Sequence, residues 1–248
     1  MPAWLSAGLW GLLGASSLLA GAAVAYLARM PRWVTASIMS FGCGILISAV
    51  AYDLLEDGFE EGGLLPIVAG ALAGSVGYAI ADWIVSARGG HHRKNSGTGQ
   101  QSASEGSGLA IAIGSLLDGI PESIVLGLTV ISGKGLSVAM FAAIFLSNFP
   151  EGLSSAMGMR HAGRSPAYVF GLWAIIVVLS GASSLAGAAF LQGAAPQLLA
   201  TVNAVAAGAL LTMVVNTMIP EAVDEEHKLT GVLVVVGLLI AFALSNGT

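Results

Sequence analysis

Eight apolar segments, each about as long as a helix that crosses a lipid bilayer, constrain the fold of this chain more than any other feature. A transmembrane helix needs roughly 20 predominantly apolar residues. Only 9% of the 248 residues are charged and 34 are glycine, a composition typical of helices packed closely within a membrane. The sequence therefore predicts an all-α integral membrane protein with a single domain. The segments cover residues 8–28, 33–55, 64–87, 109–131, 136–158, 166–191, 197–221 and 230–246.

The basic residues predict how these helices are oriented. With the N-terminus outside, eight of the nine lysine and arginine residues fall on the inner side of the membrane, and only Lys134 lies outside. Cytoplasmic loops carry such an excess of basic residues. We therefore expect a multi-pass protein of the plasma or inner membrane with both termini extracytoplasmic. Basic residues follow the first segment but none precedes it, so we expect a retained helix rather than a signal peptide.

One connection is long, at about residues 88–108, between the third and fourth segments. Its glycine, serine and glutamine content favours a flexible cytoplasmic loop. The loop contains His91 and His92, half of the four histidines in the chain. These belong either to an ordinary basic linker or to a weak metal-collecting or sensing tract, because neutral imidazole binds transition metals. We expect Arg93 and Lys94 to lie in this loop as well.

The second and seventh segments resemble each other. Residues 44–61 align without gaps with residues 208–225, so that Gly44 matches Gly208. In the predicted orientation the two helices run in opposite directions, which makes the repeat inverted. The grouping that follows is three helices, a central pair and three more helices. Secondary transporters built from inverted repeats hold their substrate near the midplane of the membrane, at interrupted helices.

The repeat places a group of acidic residues at each predicted mouth of the membrane domain. Such groups are either solvated helix ends or sites that attract and release a cation. Asp53, near the outer end of the second segment, either completes a central site from the side or guards its entrance. The outer group contains Glu56 and Asp57, and the inner group contains Glu221 and Asp224.

The fourth and fifth segments carry carboxylates at their centres within related motifs, DGIPES from Asp118 and SNFPEG from Ser147. Residues four apart lie on one face of a helix, so Asp118 and Glu122 point the same way, as do Ser147 and Glu151. A lone carboxylate near the bilayer centre costs several kcal/mol and needs a partner, a proton or a cation. The apolar segments contain no lysine or arginine that would neutralise these groups.

Three interpretations of these carboxylates remain open at this point. They form a protonated, hydrogen-bonded pair that locks two helices together, they relay protons, or they bind a cation between the fourth and fifth helices. The duplicated proline favours the cation site. Pro121 and Pro150 each free a backbone carbonyl, and Asn148 adds another oxygen ligand for a hard or borderline cation. Asp82, near the inner end of the third segment, is either an exit ligand or a partner for Arg88.

On these motifs the chain resembles the ZIP family of divalent-metal transporters. The fourth helix of that family carries His-Asn-x-Pro-Glu-Gly and the fifth a related x-x-x-Pro-Glu-Gly, and DGIPES and SNFPEG occupy those positions here. DLLED of the second segment and NTMIPEA of the seventh also resemble stretches of the family. The resemblance covers nearly the whole chain in topology. It implies eight helices in a three-two-three inverted arrangement, external termini and a histidine-bearing cytoplasmic loop.

Substitutions within these motifs change the ligand set that the resemblance implies. Asp118 replaces the histidine of the first motif, and Ser147 replaces a position often filled by histidine or glutamine. The sixth segment lacks the glutamate that commonly bridges two metals in the family, so a single metal is favoured. The implied ligands are Asp118, Glu122, Glu151 and Asn148, with Asp53 and Ser147 as further candidates.

The predicted function is uptake of a divalent cation, which is the substrate rather than a resident cofactor. The resemblance favours zinc, with cadmium as a further candidate, whereas a ligand set of oxygen atoms favours manganese, iron, magnesium or calcium. Zinc remains the first candidate. The alternative is a metal-responsive membrane sensor without transport. The apolar segments contain no His-Glu-x-x-His, no Gly-x-Ser-x-Gly and no nucleophile–base pair, so we do not expect an enzyme. We also expect no nucleic-acid partner. The pattern Gly70-x-x-x-Gly74 permits a homodimer in the bilayer without establishing one.

Overall fold

A computed structural model describes residues 1–28, 30–90, 93–94, 109–132, 136–225 and 228–246, and within these ranges the chain is helical without any strand. This confirms the predicted all-α class. We number the eight long helices of the described residues in chain order. They are α1 Ala3–Leu27, α2 Arg32–Gly62, α3 Leu64–Val85, α4 Leu109–Ile131, α5 Val138–His161, α6 Pro166–Leu191, α7 Pro196–Asp224 and α8 Thr230–Asn246.

Six of these helices, α1 to α4, α6 and α7, are long and apolar enough to cross a membrane, judged over the described residues. The other two depart from the predicted pattern for different reasons. With 17 residues, α8 is shorter than the roughly 20 residues that span a bilayer. The middle of α5 carries Ser147, Asn148 and Glu151, which lower its mean hydropathy. Helix α5 therefore depends on the surrounding helices to cover its polar face.

The helices pack mainly in pairs that are distant in sequence. Helix α1 packs against α5 and α6, α2 against α8, α3 against α7, and α4 against α6. By contrast, α4 and α5 touch each other little, although they are neighbours along the chain. The space between these two helices holds the polar groups described below.

Glycines allow several of these pairs to approach backbone to backbone. A Cβ atom at Gly44 of α2 would collide with the carbonyl oxygen of Val234 on α8, and one at Gly208 of α7 would collide with the carbonyl of Ala71 on α3. Gly70 and Gly74 of α3 likewise face α7 of the same chain. These two glycines therefore serve a contact within the chain, and the homodimer stays a prediction.

Helix α3 offers a matched test of this packing. A Cβ at Gly74 would overlap backbone atoms of Val205, whereas a Cβ at Gly77 would meet nothing within 4 Å. Because backbone atoms cannot rotate away, we expect Gly74→Ala to lower the free energy of unfolding by about 1–3 kcal/mol. The melting temperature in detergent should fall for Gly74→Ala and stay the same or rise for Gly77→Ala. Equal melting temperatures for the two variants would contradict the α3–α7 packing.

Helices α2 and α7 each contain a π-helical segment, at Val50–Glu56 and at Val214–Met218, and a third such segment, Ser86–Gly90, follows α3. The first residues of the segments in α2 and α7, Val50 and Val214, are aligned with each other in the internal repeat. A π-helical turn interrupts the regular ladder of backbone hydrogen bonds and often occurs at a functional position. Residues 44–61 and 208–225 thus share a backbone irregularity as well as a sequence pattern.

Candidate cation site

Three carboxylates lie close to the middle of α4 and α5 and are almost completely buried. Asp118 is 1% exposed, Glu122 2% and Glu151 4%. Ser147 and Asn148 of α5 are buried beside them. Both helices continue through their internal prolines. The motifs singled out in the sequence therefore place their polar side chains inside the protein and not towards lipid.

The main correction to the sequence prediction concerns Arg93 and Lys94. We expected these residues in an exposed loop, and we expected no basic side chain near the carboxylates. Instead, Arg93 is 2% exposed and Lys94 3%, and both contact the carboxylates of α4 and α5. The physical reason is pairing, because buried carboxylates attract the nearest cations that the chain can supply.

Arg93 forms a bidentate ion pair with Asp118. Its Nε lies 3.1 Å from Asp118 Oδ2, and its Nη2 lies 3.1 Å from Asp118 Oδ1. The same guanidinium places Nη1 2.8 Å from Asp82 Oδ1 and donates through Nη2 to the Tyr78 hydroxyl at 3.0 Å. Tyr78 in turn donates to Asp118. Asp82 and Asp118 are therefore held around one guanidinium.

Lys94 lies between the carboxylates of the two central helices. Its Nζ is 3.2 Å from Asp118 Oδ2 on α4 and 3.0 Å from Glu151 Oε2 on α5. The Ser154 hydroxyl donates to the backbone carbonyl of Lys94, which fixes the main chain as well. Burial alone would lower the pKa of Lys94, but the Asp118 and Glu151 carboxylates raise it above its ordinary value. The two carboxylates within 3.2 Å thus favour the charged form of the ammonium group.

Small residues make room for the basic pair. A Cβ at Gly114 of α4 would collide with the side chain of Arg93, and Gly90 lies against Val85 and the start of α4. Gly114 precedes Asp118 by one helical turn, and Ser154 follows Glu151 by about one turn. Arg93 and Lys94 thus fill the part of the α4–α5 space nearest to the α3–α4 connection.

Glu122 is the carboxylate that the basic pair does not reach. Asn148 lies beside its carboxylate, and Glu122 Oε2 has no hydrogen-bond partner among the described residues. Ser147 donates to Ile144 in its own helix at 3.1 Å. Glu122 therefore carries a buried oxygen atom that is available to a ligand.

The arrangement is rich in negative charge but is not a closed metal site. Among the described residues, the carboxylates of Asp82, Asp118, Glu122 and Glu151 lie around two basic side chains, so carboxylates outnumber basic groups there. No three histidine, cysteine, aspartate or glutamate side chains in the described ranges converge as metal ligands do. The Lys94 ammonium group instead separates Asp118 from Glu151.

The other predicted site residues lie elsewhere. The carboxylate of Asp53 lies near Ser245 of α8, and no contact of the described residues joins it to the central carboxylates. Asp82, which the sequence left as an exit ligand or a partner for Arg88, pairs with Arg93 in the structure. Glu56 and Asp57 lie near the end of α2, and Glu221 and Asp224 near the end of α7. His91, His92 and His227 lie outside the described residues.

Sequence reasoning missed Tyr78 and Ser154 as well as the basic pair. A usable pattern was present for Tyr78, which precedes Asp82 by four residues and so shares its face of α3. Ser154 follows Glu151 by three residues on α5 and shares its face in the same way. No comparable pattern marks Arg93 and Lys94, which look like any basic pair flanking a membrane segment.

Comparison with known proteins finds a distant relative. No protein-family model matches the chain. An Arabidopsis thaliana protein named "Putative zinc transporter" is 27% identical over 199 residues, which are 79% of this chain and 31% of that protein. The chain therefore spans about a third of the length of that relative. The apolar helices and this similarity together indicate a multi-pass membrane protein.

Proposed function

We propose that the chain imports a divalent metal cation through a site between α4 and α5, with zinc as the first candidate. The observation that carries the proposal is the burial of three carboxylates at the middle of these helices, where Glu122 keeps an oxygen without a protein donor in the described ranges. Such an oxygen is costly away from water, and a cation would stabilise it. The similarity to a protein named as a zinc transporter supports the same function and argues against an enzyme.

The proposed architecture is a three-two-three inverted repeat of the ZIP type. The packing is consistent with it, because α1 on α5 corresponds to α6 on α4, and α2 on α8 corresponds to α7 on α3. The repeat-related glycines Gly44 and Gly208 both meet a backbone carbonyl of the partner helix, and both repeats contain a π-helical segment. An inverted repeat would account for each of these correspondences.

The proposed ligands of a single cation are Asp118, Glu122, Glu151 and Asn148, with Ser147 close by. Carboxylate and amide oxygens replace the water that the ion loses on entering. Asp53, Glu56 and Asp57 would concentrate cations at the outer mouth, while Glu221 and Asp224 would favour release at the inner one. Asp82 joins the exit side, where it neighbours the basic pair. This assignment places both termini outside the cell membrane.

Metal uptake into liposomes that contain the purified chain tests the proposal. We expect zinc and cadmium to enter fastest, manganese and iron more slowly and magnesium least, since magnesium gives up its water reluctantly. Protein-free liposomes provide the background. Uptake of none of these ions above that background would overturn the proposed transport.

A metal-responsive sensor without transport is the second candidate. The observation that favours it is the Lys94 ammonium group, which already holds Asp118 and Glu151 together. A chain that binds metal without releasing it on the other side would bind zinc in detergent and yet give no flux. Binding with flux supports the transporter, and binding without flux supports the sensor.

A further inference from the structure

The Arg93–Lys94 pair occupies the carboxylates that the proposed cation would need. Lys94 bridges Asp118 and Glu151 at 3.2 and 3.0 Å, and Arg93 covers both oxygens of Asp118. Together the two side chains carry two positive charges, which equals the charge of one divalent cation. The buried carboxylates are therefore neutralised to the same extent by the pair or by the ion.

Simultaneous occupation is unfavourable for reasons of space and charge. The ammonium group lies between the carboxylates of α4 and α5, at the position where a shared ligand of both helices would lie. Placing a divalent ion beside two buried cations would add a strong repulsion, because charges interact more strongly where water is excluded. Metal and basic pair are thus alternatives at the same carboxylates.

We infer that Arg93 and Lys94 form a built-in competitor that holds the site closed to cations until metal displaces it. The inference rests on the proposed function and adds a regulatory element to it. The pair approaches from the α3–α4 connection, past Gly114 and Ser154, which is the inner side in the predicted orientation. With the pair in place, the carboxylates are neutralised and the space between α4 and the inner end of α5 is filled.

Residues of three helices hold Arg93 and Lys94 in place. Gly114 leaves the space that the Arg93 side chain fills, Ser154 binds the Lys94 carbonyl, and Tyr78 and Asp82 complete the surroundings of the guanidinium. An arginine drawn in merely by charge would need only one carboxylate. These additional contacts come from three helices, although Arg93 and Lys94 themselves lie outside every apolar segment.

Trypsin cleaves after arginine and lysine and therefore reports directly on this pair in the wild-type chain. Without metal, cleavage after Arg93 and Lys94 should be slow, because both side chains are buried, whereas exposed Arg88 in the same connection serves as the internal control. Saturating zinc should speed cleavage after Lys94 about tenfold or more, since proteolysis follows the population of the open form. Cleavage after Arg88 should not change.

The zinc affinities of two variants complete the test. If the pair holds the carboxylates nine-tenths of the time, it weakens the apparent zinc affinity about tenfold, so Arg93→Gln/Lys94→Gln should bind zinc about tenfold more tightly. Arg88→Gln, which removes a nearby charge that does not touch the carboxylates, should bind like wild type.

The outcomes separate this inference from the proposed function. Zinc binding to the wild-type chain with no change in cleavage after Lys94 would overturn the competitor while leaving transport intact. Rapid cleavage after Lys94 without metal would overturn it as well. Zinc binding to neither the wild-type chain nor the double variant would overturn the proposed function, and the competitor with it. If the double variant fails to fold, the wild-type proteolysis still decides.

Discussion

Replacement of Glu122 by glutamine should reduce zinc uptake to the background of protein-free liposomes. Glu122 is 2% exposed and keeps an oxygen without a hydrogen-bond partner in the described part of the chain. Glutamine has nearly the same shape but carries no charge, so it cannot offset the free-energy cost of removing water from a divalent ion. Glu151→Gln should have the same effect, because Glu151 is the carboxylate that α5 contributes.

A matched control separates this effect from a general disturbance of α4. Thr129 lies two turns after Glu122 on the same helix, and its hydroxyl donates to Leu126 of that helix at 2.9 Å. Thr129→Val is also a nearly isosteric change, and it should leave uptake at the wild-type level. Wild-type uptake by a folded Glu122→Gln protein would exclude Glu122 as a ligand and with it the proposed site.

The second large effect concerns stability. Asp118→Asn removes the carboxylate that pairs with both Arg93 and Lys94, and it leaves two buried cations with fewer partners. Breaking a buried ion pair from one side costs about 3–5 kcal/mol. Asp82 and Glu151 remain as partners, so we expect the free energy of unfolding to fall by about 3 kcal/mol, with a clear drop in melting temperature in detergent. Asp224→Asn, at the exposed end of α7, should change stability by less than about 0.5 kcal/mol.

A double-mutant cycle distinguishes ion pairing from simple loss of packing. Arg93→Gln alone should also destabilise the protein, because it leaves Asp118 and Asp82 with less positive charge around them. If the residues interact as the structure shows, the free energy of unfolding should fall less in Asp118→Asn/Arg93→Gln than the two single losses added together. The expected difference is about 2 kcal/mol. Additive effects would mean that the bidentate contact contributes nothing measurable.

The helices were predictable from sequence because membrane-spanning segments follow a simple rule of length and apolarity. The predicted segment 109–131 coincides with α4, and the segment 166–191 coincides with α6. Differences occur at the ends of the helices, some of which extend past the predicted segments. For example, α1 begins at Ala3 and α2 continues to Gly62, beyond the predicted limits.

The carboxylates were predictable because charge within an apolar segment is rare and therefore informative. Their neutralisation by Arg93 and Lys94 was not predictable. Basic residues beside a membrane segment normally remain in water on the inner side, and that general preference led us to place Arg93 and Lys94 in an exposed loop. Their burial depends on Asp82, Asp118 and Glu151 coming together from three helices, which no local pattern encodes.

The central claim is that the carboxylates of α4 and α5 bind a divalent cation, and anomalous X-ray diffraction at the zinc edge tests it most directly. In crystals of the protein soaked with zinc, we expect one zinc peak between the two helices, at about 2.0–2.2 Å from carboxylate oxygens of Glu122 and Glu151. Lys94 should have moved away from Asp118. A zinc peak only at the helix ends, with Lys94 still between Asp118 and Glu151, would contradict the account.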